Sequence, residues 1–253
     1  MNKNTDQSTL LFGLELFGST KAQLLTEIDS RVKSQKLPII IATPNPEQVM
    51  LSRRDSIFLD HLQSFDLRIP DGNGLVWASK LLAHKLNQPA LSERITGVWL
   101  TEELLKKAER AKKQVLIIGG RRYKNYVLDY LRLNWTEGYE NIQVPQEAEE
   151  RALEKLLLSL KPVYIFVAFG APAQEAWIIN HRDLLDKAGV KIAMTVGGAF
   201  DMLFGITPRA PGWIRVLQLE WLYRLIQEPT RWRRQLKLFE FVKLVFTTLL
   251  KNQ

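Results

Sequence analysis

Acidic and hydroxyl side chains that could do chemistry follow two short apolar runs of the sequence. Asp71, in the segment 70–74, is placed to act as a general base that takes a proton from a hydroxyl group. Its Asp-Gly pair is also typical of a simple turn. Thr43 ends the other run with a hydroxyl group, and Asn45 is also explained as a helix N-cap. Both segments therefore allow a chemical and a purely structural interpretation.

Two pairs of glycines follow further apolar runs and would let a ligand approach the backbone closely. Gly119 and Gly120 precede a basic segment and would suit a phosphate site at a helix N-terminus. The complete G-x-G-x-x-G pattern of dinucleotide-binding proteins is missing, so this segment alone does not indicate a nucleotide. Gly197 and Gly198 lie just before Asp201, which would bind a ligand hydroxyl or cap the next helix.

An amide and a carboxyl side chain follow the fifth apolar run. Gln174 offers both a hydrogen-bond donor and an acceptor, as recognition of a sugar or a uracil ring requires. Glu175 fits the first turn of a helix, where acidic residues are favourable. The sequence has no D-x-D, P-loop or G-x-S-x-G pattern, and its three histidines are scattered at no metal-ligand spacing. We therefore expect neither a metal site nor a cofactor.

An α/β fold would bring these five segments together. Short runs rich in Ile, Val, Leu and Phe alternate with segments of helical period, which predicts a Rossmann-like, mostly parallel sheet flanked by helices. Ligands bind such sheets at the carboxyl ends of the strands, so we expect the five segments to meet there. We predict strands at residues 10–16, 38–43, 67–69, 115–119, 142–144, 163–169 and 191–196. We predict helices at residues 20–35, 46–64, 74–84, 101–112, 123–134, 147–160 and 173–186.

The composition of the 253 residues is that of a globular protein, with 46% hydrophobic and 25% charged residues. Because the sequence has no cysteine, it forms no disulfide, thiolate nucleophile or thiolate metal site, which fits a reducing compartment. Residues 1–8 are polar and show no secretory signal pattern. No run of about 18 uncharged apolar residues is present, so we expect no membrane-spanning helix and a cytoplasmic protein.

The net charge of +8 is concentrated near the C-terminus. Residues 207–253 hold nine basic and three acidic residues, a net charge of +6, whereas residues 1–206 carry only +2. A segment rich in proline at 207–212 is followed by purely helical patterns at 213–228 and 230–250. We therefore predict an α/β domain at residues 1–206 and a basic helical appendage at 207–253.

The last predicted helix is amphipathic, with a wide apolar face and a narrow polar stripe that consists of Lys237, Glu240, Lys243, Thr247 and Lys251. It would dock on the body of the protein or on a second copy, or lie in a membrane interface with Trp and Lys at headgroup depth. Arg231, Arg233 and Arg234 fall in its first turn, where cations oppose the helix dipole. An anion held between these arginines and the helix N-terminus would explain them, so we predict a phosphate or diphosphate site.

Eight motifs, in register over nearly the whole chain, resemble the WecG/TagA/CpsF family of bacterial glycosyltransferases. No single motif is specific, but the eight in this order are. They are Thr43-Pro44-Asn45, Pro70-Asp71-Gly72-Asn73-Gly74, Glu93-Arg94-Ile95-Thr96-Gly97, Gly119-Gly120, Gly170-Ala171-Pro172-Ala173-Gln174-Glu175, Gly197-Gly198-Ala199-Phe200-Asp201, Arg209-Ala210-Pro211, and Glu220-Trp221-Leu222-Tyr223-Arg224 running on to Glu228-Pro229.

The resemblance implies an inverting, metal-independent enzyme that transfers a sugar from a UDP-sugar donor to a polyprenyl-diphosphate-linked acceptor. The donor sugar typical of the family is N-acetylmannosamine or its uronic acid. The products enter the synthesis of wall teichoic acid, enterobacterial common antigen, capsule or exopolysaccharide. The resemblance also implies a catalytic domain that works at the inner face of the cell membrane, with the appendage as its peripheral membrane contact.

Several residues match functional positions of the family. Asp71 matches the proposed catalytic base. The pocket residues that the resemblance implies are Thr43, Asn45, Arg94, Gln174 and Asp201, and we add Gly119, Gly120, Glu175, Gly197 and Gly198 from the same motifs as substrate-binding candidates. The residues implied to meet the lipid diphosphate or the membrane are Arg209, Arg215, Arg224, Arg231, Arg233 and Arg234. Ala173 departs from the family, which often has a lysine there, so Arg121 or Arg122 would have to replace any phosphate contact of that lysine.

Two other functions are compatible with parts of the sequence. A nucleotide-dependent oxidoreductase would share the fold class, but no strand–G-x-G-x-x-G–helix unit with an acidic residue about 20 positions later is present. A nucleic-acid-binding protein would use the basic appendage. The broad Leu/Phe face beside those basic residues is not needed for groove binding, and it favours an anionic membrane over nucleic acid as the partner. The sequence leaves the oligomeric state open, a homo-oligomer included.

Overall fold

A two-stranded hairpin and a six-stranded sheet form the β structure of the protein. The structure, a computed structural model, describes residues 8–207 and 232–251. The hairpin pairs β1 (Ser8–Leu11) with β2 (Leu14–Phe17) in antiparallel fashion. The strands of the sheet are β3 (Ile39–Ala42), β4 (Leu67–Arg68), β5 (Val115–Gly119), β6 (Leu133–Thr136), β7 (Tyr164–Ala168) and β8 (Ile192–Thr195). Their order is β4-β3-β8-β7-β5-β6, and all the pairings are parallel.

Helices follow most of the strands, so the chain alternates between the two kinds of element. Within the described ranges they are α1 (Lys21–Ser34), α2 (Pro46–Ser52), α3 (Ser56–Gln63), α4 (Asn73–Leu86), α5 (Gly97–Arg110), α6 (Glu147–Leu160), α7 (Ala173–Asn180), α8 (Arg182–Lys187), α9 (Ala199–Leu203) and α10 (Trp232–Leu250). This alternation around a parallel sheet confirms the predicted Rossmann-like α/β fold.

The central strands are apolar on both faces, which places the sheet between two hydrophobic layers. On one face Ile40 and Ile165 belong to a cluster with side chains of α2, α4 and α7. On the other face Ile39 and Phe166 belong to a cluster with side chains of α1, α5 and α9. All four are 0% exposed. Because successive residues of a strand point to opposite faces, only a continuous apolar run can fill both layers.

The first predicted strand, at residues 10–16, is wrong, because this segment forms the turn and the inner parts of the β1–β2 hairpin. Phe12 and Gly13 make the turn with positive φ angles of 54° and 87°. Leu11 and Leu14, on either side of the turn, are both 0% exposed. The apolar residues of the two short strands therefore look like one run in the sequence.

The far edge of the sheet contradicts two further predictions. Residues 142–144, predicted as a strand, form a turn, and the predicted helix 123–134 is also wrong. Two short 3₁₀ turns, Arg121–Tyr123 and Val127–Asp129, lead instead into β6, which pairs with β5. As an edge strand of four residues, β6 mixes apolar and polar side chains and lacks the apolar run of a central strand. Its pairing partner, rather than its own sequence, decides its conformation.

Two predicted helices are each interrupted. The predicted helix 46–64 is α2 followed by α3, because the Asp55 side chain accepts a hydrogen bond from the Phe58 backbone N–H and starts a new helix there. The predicted helix 173–186 is α7 followed by α8, which meet at His181. The residues that follow β3 and β7 still lead directly into helices, α2 and α7.

Helix α10 docks on the body of the protein. Phe241 and Val245 are both 0% exposed, and the helix packs against α2 and α4. Arg54, which follows α2, forms an ion pair with Glu240 at 2.8 Å. Of the alternatives for this helix, the described residues therefore show docking on the chain's own body. The other predicted helix of the appendage, 213–228, lies outside the described residues.

Part of the apolar surface of α10 still faces outward. Leu236, Phe239 and Leu250 have exposed fractions of 50%, 68% and 75%. Across the two described ranges, we find no helix with both the length and the hydropathy needed to cross a membrane.

Candidate active site

A cleft of about 710 Å³ opens at the carboxyl ends of the parallel strands. Eight of the eleven residues predicted to be catalytic or substrate-binding line it, and they follow five different strands. They are Thr43 and Asn45 after β3, Asp71 after β4, Gly120 after β5, Gln174 after β7, and Gly197, Gly198 and Asp201 after β8. The predicted meeting of these segments is thus what the structure shows. The other three, Arg94, Gly119 and Glu175, are not among the lining residues.

Asp71 lies in the loop between β4 and α4, and its side chain contacts the N-terminus of helix α5. Its Oδ2 accepts a hydrogen bond from the Gly97 backbone N–H at 3.1 Å, and its Oδ1 lies 3.7 Å from Nη2 of Arg94. Its own N–H donates to the Pro44 carbonyl at 2.9 Å, which fixes the loop after β4 against the loop after β3. Arg94 therefore lies against Asp71 and does not itself line the cleft.

Gly97 packs closely against both Thr43 and Asp71. A Cβ atom at position 97 would lie 3.2 Å from Thr43 Oγ1 and 3.5 Å from Asp71 Oδ2. Thr96, just before it, caps α5 by accepting a hydrogen bond from the Trp99 N–H. The helix N-terminus therefore points at the Asp71 carboxylate, an arrangement that favours negative charge there.

Thr43 and Asn45 occupy the end of β3. Thr43 Oγ1 donates to the Thr195 carbonyl at 3.3 Å. Asn45 caps α2 through a reciprocal pair of hydrogen bonds with Gln48, so the structural interpretation of Asn45 is confirmed. Both residues also line the cleft, which shows that the structural role does not exclude a second role toward a ligand.

Gln174 and Glu175 play different parts in the site. Gln174 lines the cleft, and its Oε1 accepts a hydrogen bond from the Gly197 N–H at 3.0 Å. Glu175 is 0% exposed and accepts hydrogen bonds from the Gln174 and Gln48 amides. Burial raises the pKa of Glu175 to about 7, against the smaller lowering effect of the Gln174 hydrogen bond. Glu175 thus lies beneath the cleft floor.

The segment after β5 closes one side of the cleft. Gly120 has a positive φ of 66°, and a Cβ atom there would lie 2.1 Å from the Tyr123 ring. Only glycine therefore lets the chain turn into the segment that carries Arg122. Arg122 Nε lies 3.7 Å from Oδ1 of Asp201. The pKa of the Tyr123 hydroxyl is raised, first by burial and then by the Asp201 charge.

Lys237 is a cleft residue that sequence reasoning missed. It lines the cleft from helix α10, together with Glu47 of α2. The sequence pattern assigned Lys237 to a polar stripe, although it lies four residues before the buried Phe241 and so on the same side of the helix. That spacing is the signal which could have found it, once Phe241 is recognised as the docking residue.

The predicted arginine cluster of the appendage falls mostly outside the described residues. Arg209, Arg215, Arg224 and Arg231 are not among them. Arg233 and Arg234 lie in the first turn of α10, as predicted for this segment.

Comparison with known proteins assigns the chain to a family. Residues 9–253 match the model of the glycosyl transferase WecG/TagA/CpsF family. The chain is 30% identical over 252 residues to the N-acetylglucosaminyldiphosphoundecaprenol N-acetyl-beta-D-mannosaminyltransferase of Bacillus subtilis (strain 168), covering 98% of this chain and 93% of that protein. Proteins with the same name in Bacillus spizizenii (31% identity, 95% and 90% coverage) and Staphylococcus aureus strain MW2 (30%, 88% and 85%) are also similar.

The comparison supports a glycosyltransferase, and it does not support the oxidoreductase alternative. The resemblance predicted from the eight motifs is confirmed, and the chain belongs to the WecG/TagA/CpsF family of glycosyltransferases.

Proposed function

We propose that this enzyme transfers N-acetylmannosamine, or a closely related sugar, from a UDP-sugar to N-acetylglucosamine linked through a diphosphate to a polyprenyl lipid. The observation that carries the proposal is the Asp71 carboxylate, held at the cleft wall by the Gly97 N–H and by Arg94. The names of the relatives, which act on such a lipid and transfer this sugar, support the choice of substrates.

Asp71 would act as the general base of a single displacement. It takes the proton from the acceptor hydroxyl as that oxygen attacks the anomeric carbon, and UDP leaves from the opposite face with inversion. Such help from a positioned base is worth about 10² to 10⁴ in rate. The Gly97 N–H and Arg94 hold the carboxylate at the cleft wall, where the acceptor hydroxyl would bind.

The leaving UDP carries negative charge that the cleft must offset. Arg122, which follows β5, and Lys237, in α10, are cations that line it. Fixed positive groups in a cleft stabilise charge that develops in the transition state without reorganising at the moment of reaction. Arg122 would also serve where the family often has a lysine at the position of Ala173.

The uracil and the sugar would be held by the polar groups of the cleft floor and by the glycines. Gln174 and Asn45 offer amides, and Asp201 and Thr43 offer a carboxylate and a hydroxyl for sugar or ribose hydroxyl groups. Gly120, Gly197 and Gly198, which line the cleft, would let the diphosphate approach the backbone.

The lipid acceptor would reach this cleft from the inner face of the cell membrane. The exposed Leu236, Phe239 and Leu250 of α10 form an apolar surface beside Lys243, which is also exposed. An amphipathic surface of this kind binds at a membrane interface through its apolar side chains and its cations. We assign the same role to the basic segment 207–253 as a whole, with its arginines meeting the lipid diphosphate.

The proposal is tested by incubating the enzyme with UDP-N-acetylmannosamine, UDP-N-acetylglucosamine or UDP-glucose and a short-chain polyprenyl-diphosphate–N-acetylglucosamine. Mass spectrometry of the lipid product should show one added N-acetylhexosamine with the first donor. A preparation of the Asp71→Asn variant controls for contaminating transferases. Equal transfer from all three donors would contradict the choice of sugar, and no transfer from any of them would contradict the substrate class.

A further inference from the structure

A second layer of side chains supports the floor of the cleft from below, and Glu175 is its centre. Glu175 lies in the first turn of α7 and is 0% exposed. Its Oε1 accepts a hydrogen bond from Gln174 Nε2 at 2.9 Å and another from Gln48 Nε2 at 3.2 Å. Burying a carboxyl group costs free energy unless it is hydrogen-bonded, and the two amide donors partly offset that cost.

The two amides continue the hydrogen bonds in both directions. Gln48 Oε1 accepts from the Asn45 N–H at 3.1 Å, and Gln174 Oε1 accepts from the Gly197 N–H at 3.0 Å. A continuous string of hydrogen bonds therefore joins the segments that follow β3, β7 and β8. Four of its five members line the cleft, and Glu175 is the one that does not.

These hydrogen bonds fix the orientation of each glutamine amide, that is, the positions of its NH2 group and its oxygen. A glutamine amide has a donor end and an acceptor end of nearly the same shape, and a half-turn about its last bond exchanges them. At Gln174, Glu175 requires the donor end and the Gly197 N–H requires the acceptor end, so both contacts select one orientation. The donor and acceptor sites left over for a ligand are thereby defined.

We propose that Glu175 is a positioning residue, which holds the Gln48 and Gln174 amides in the orientation that recognises the bound nucleotide sugar. It makes no contact with the substrate, because its side chain has no exposed surface. The inference rests on the proposed function, since it takes the ligand of the cleft to be a UDP-sugar.

The position of one acceptor oxygen, rather than the charge, is what this role needs. Both amide hydrogen bonds end on Oε1, whereas Oε2 is buried without a hydrogen-bond partner among the described residues. A glutamine at position 175 can put its amide oxygen where Oε1 lies. An aspartate at position 175 keeps the charge, but its side chain is one methylene group shorter, so its oxygens do not reach the position of Oε1.

The test measures UDP binding by calorimetry for the wild type, Glu175→Gln and Glu175→Asp. We expect Glu175→Gln to bind UDP within about threefold of the wild type. We expect Glu175→Asp to bind roughly tenfold more weakly, because two buried amide donors lose their acceptor. Ser79→Ala is the matched control: Ser79 is a buried polar residue outside the cleft, so UDP affinity should stay unchanged even if the melting temperature falls.

A Gln174→Ala background separates positioning from a general structural effect. If Glu175 acts through this amide, the loss of UDP affinity caused by Glu175→Asp should shrink in that background, since the effects of neighbours that act together are not additive.

Two results would overturn the proposal: equal losses of UDP affinity in both backgrounds, or a lowered melting temperature with unchanged UDP affinity. A tenfold loss of UDP affinity in Glu175→Gln would also overturn the proposal, because it would show that the charge of Glu175 matters. This result can be obtained even if the other variants do not fold. Absence of UDP binding by the wild type would instead overturn the proposed function.

Discussion

Strand β4 carries a carboxylate beside an arginine at each of its two ends. Before the strand, Asp66 accepts the Ile40 N–H at 2.8 Å and lies 3.2–3.3 Å from Arg182 Nη2 with both oxygens. After the strand, Asp71 accepts one backbone N–H at 3.1 Å and faces Arg94 at 3.7 Å. The exposed fractions of the two carboxylates are similar, 20% for Asp66 and 28% for Asp71. Residue type and burial therefore do not distinguish them.

What distinguishes the two carboxylates is the end of the sheet at which they lie. Asp66 ties β3, β4 and the start of α8 together. Asp71 stands at the carboxyl ends, where loops after five strands enclose the cleft. In parallel α/β sheets this edge holds the ligand, so we propose that the same pair of residue types supports the fold at one end and serves chemistry at the other.

The largest expected effect comes from Asp71→Asn. The amide keeps the shape of the carboxylate but cannot take a proton, so turnover should fall by about 10² to 10⁴ with little change in UDP affinity. Steady-state kinetics with the lipid acceptor measure this, and Asp66→Asn is the matched control, whose folded molecules should turn over normally. Turnover of Asp71→Asn within tenfold of the wild type would remove it from the role of base.

The buried Glu175 predicts a pH-dependent stability. Its pKa is raised to about 7 by burial, from an ordinary value of 4.5, so the folded protein prefers the protonated form. The free-energy cost of ionising Glu175 in the folded protein is absent below pH 4.5 and complete above pH 7. The free energy of unfolding should therefore lose about 3 kcal/mol over that interval as the pH rises.

Urea unfolding of the wild type and of Glu175→Gln at pH 4.5, 6 and 8 would measure this contribution. Glutamine does not titrate, so the difference between the two proteins should shift in favour of the variant as the pH rises. A difference that is constant over this range would show that the Glu175 carboxyl does not titrate with a raised pKa.

Asp66→Asn should affect stability instead of turnover. The amide loses the charge that strengthens the hydrogen bonds from the Ile40 N–H and Arg182, so we expect a loss of about 1–2 kcal/mol in the free energy of unfolding. Asp60→Asn, on the exposed face of α3, should leave stability unchanged. If Asp66→Asn slowed turnover as much as Asp71→Asn, the contrast between the two ends of β4 would be wrong.

The central sheet and most of the cleft could be predicted from sequence because their signals are local. Buried parallel strands such as β3 and β7 appear as continuous apolar runs, and the polar or glycine-rich residues that follow them must meet at one edge. The edge strand β6 and the hairpin could not be predicted in this way, because pairing with neighbours decides their conformation. The position of Glu175 beneath Gln174 is likewise a result of packing, since the two are adjacent in sequence but only one faces the cleft.

The smallest effect we predict separates two lysines of one helix. Lys237 lines the cleft, whereas Lys243, on the same helix α10, is exposed. If Lys237 offsets diphosphate charge, Lys237→Met should raise KM for the UDP-sugar or for the lipid acceptor by about five- to tenfold, which is the size of one ordinary hydrogen bond and suits a charge that is only partly buried. Lys243→Met should leave both constants unchanged in a detergent-solubilised assay, which removes any contribution of membrane binding. The Lys237 effect should also shrink at high salt, because screening weakens a partly exposed charge. Equal behaviour of the two variants would place Lys237 with the surface charges and leave Arg122 as the cleft cation to test next.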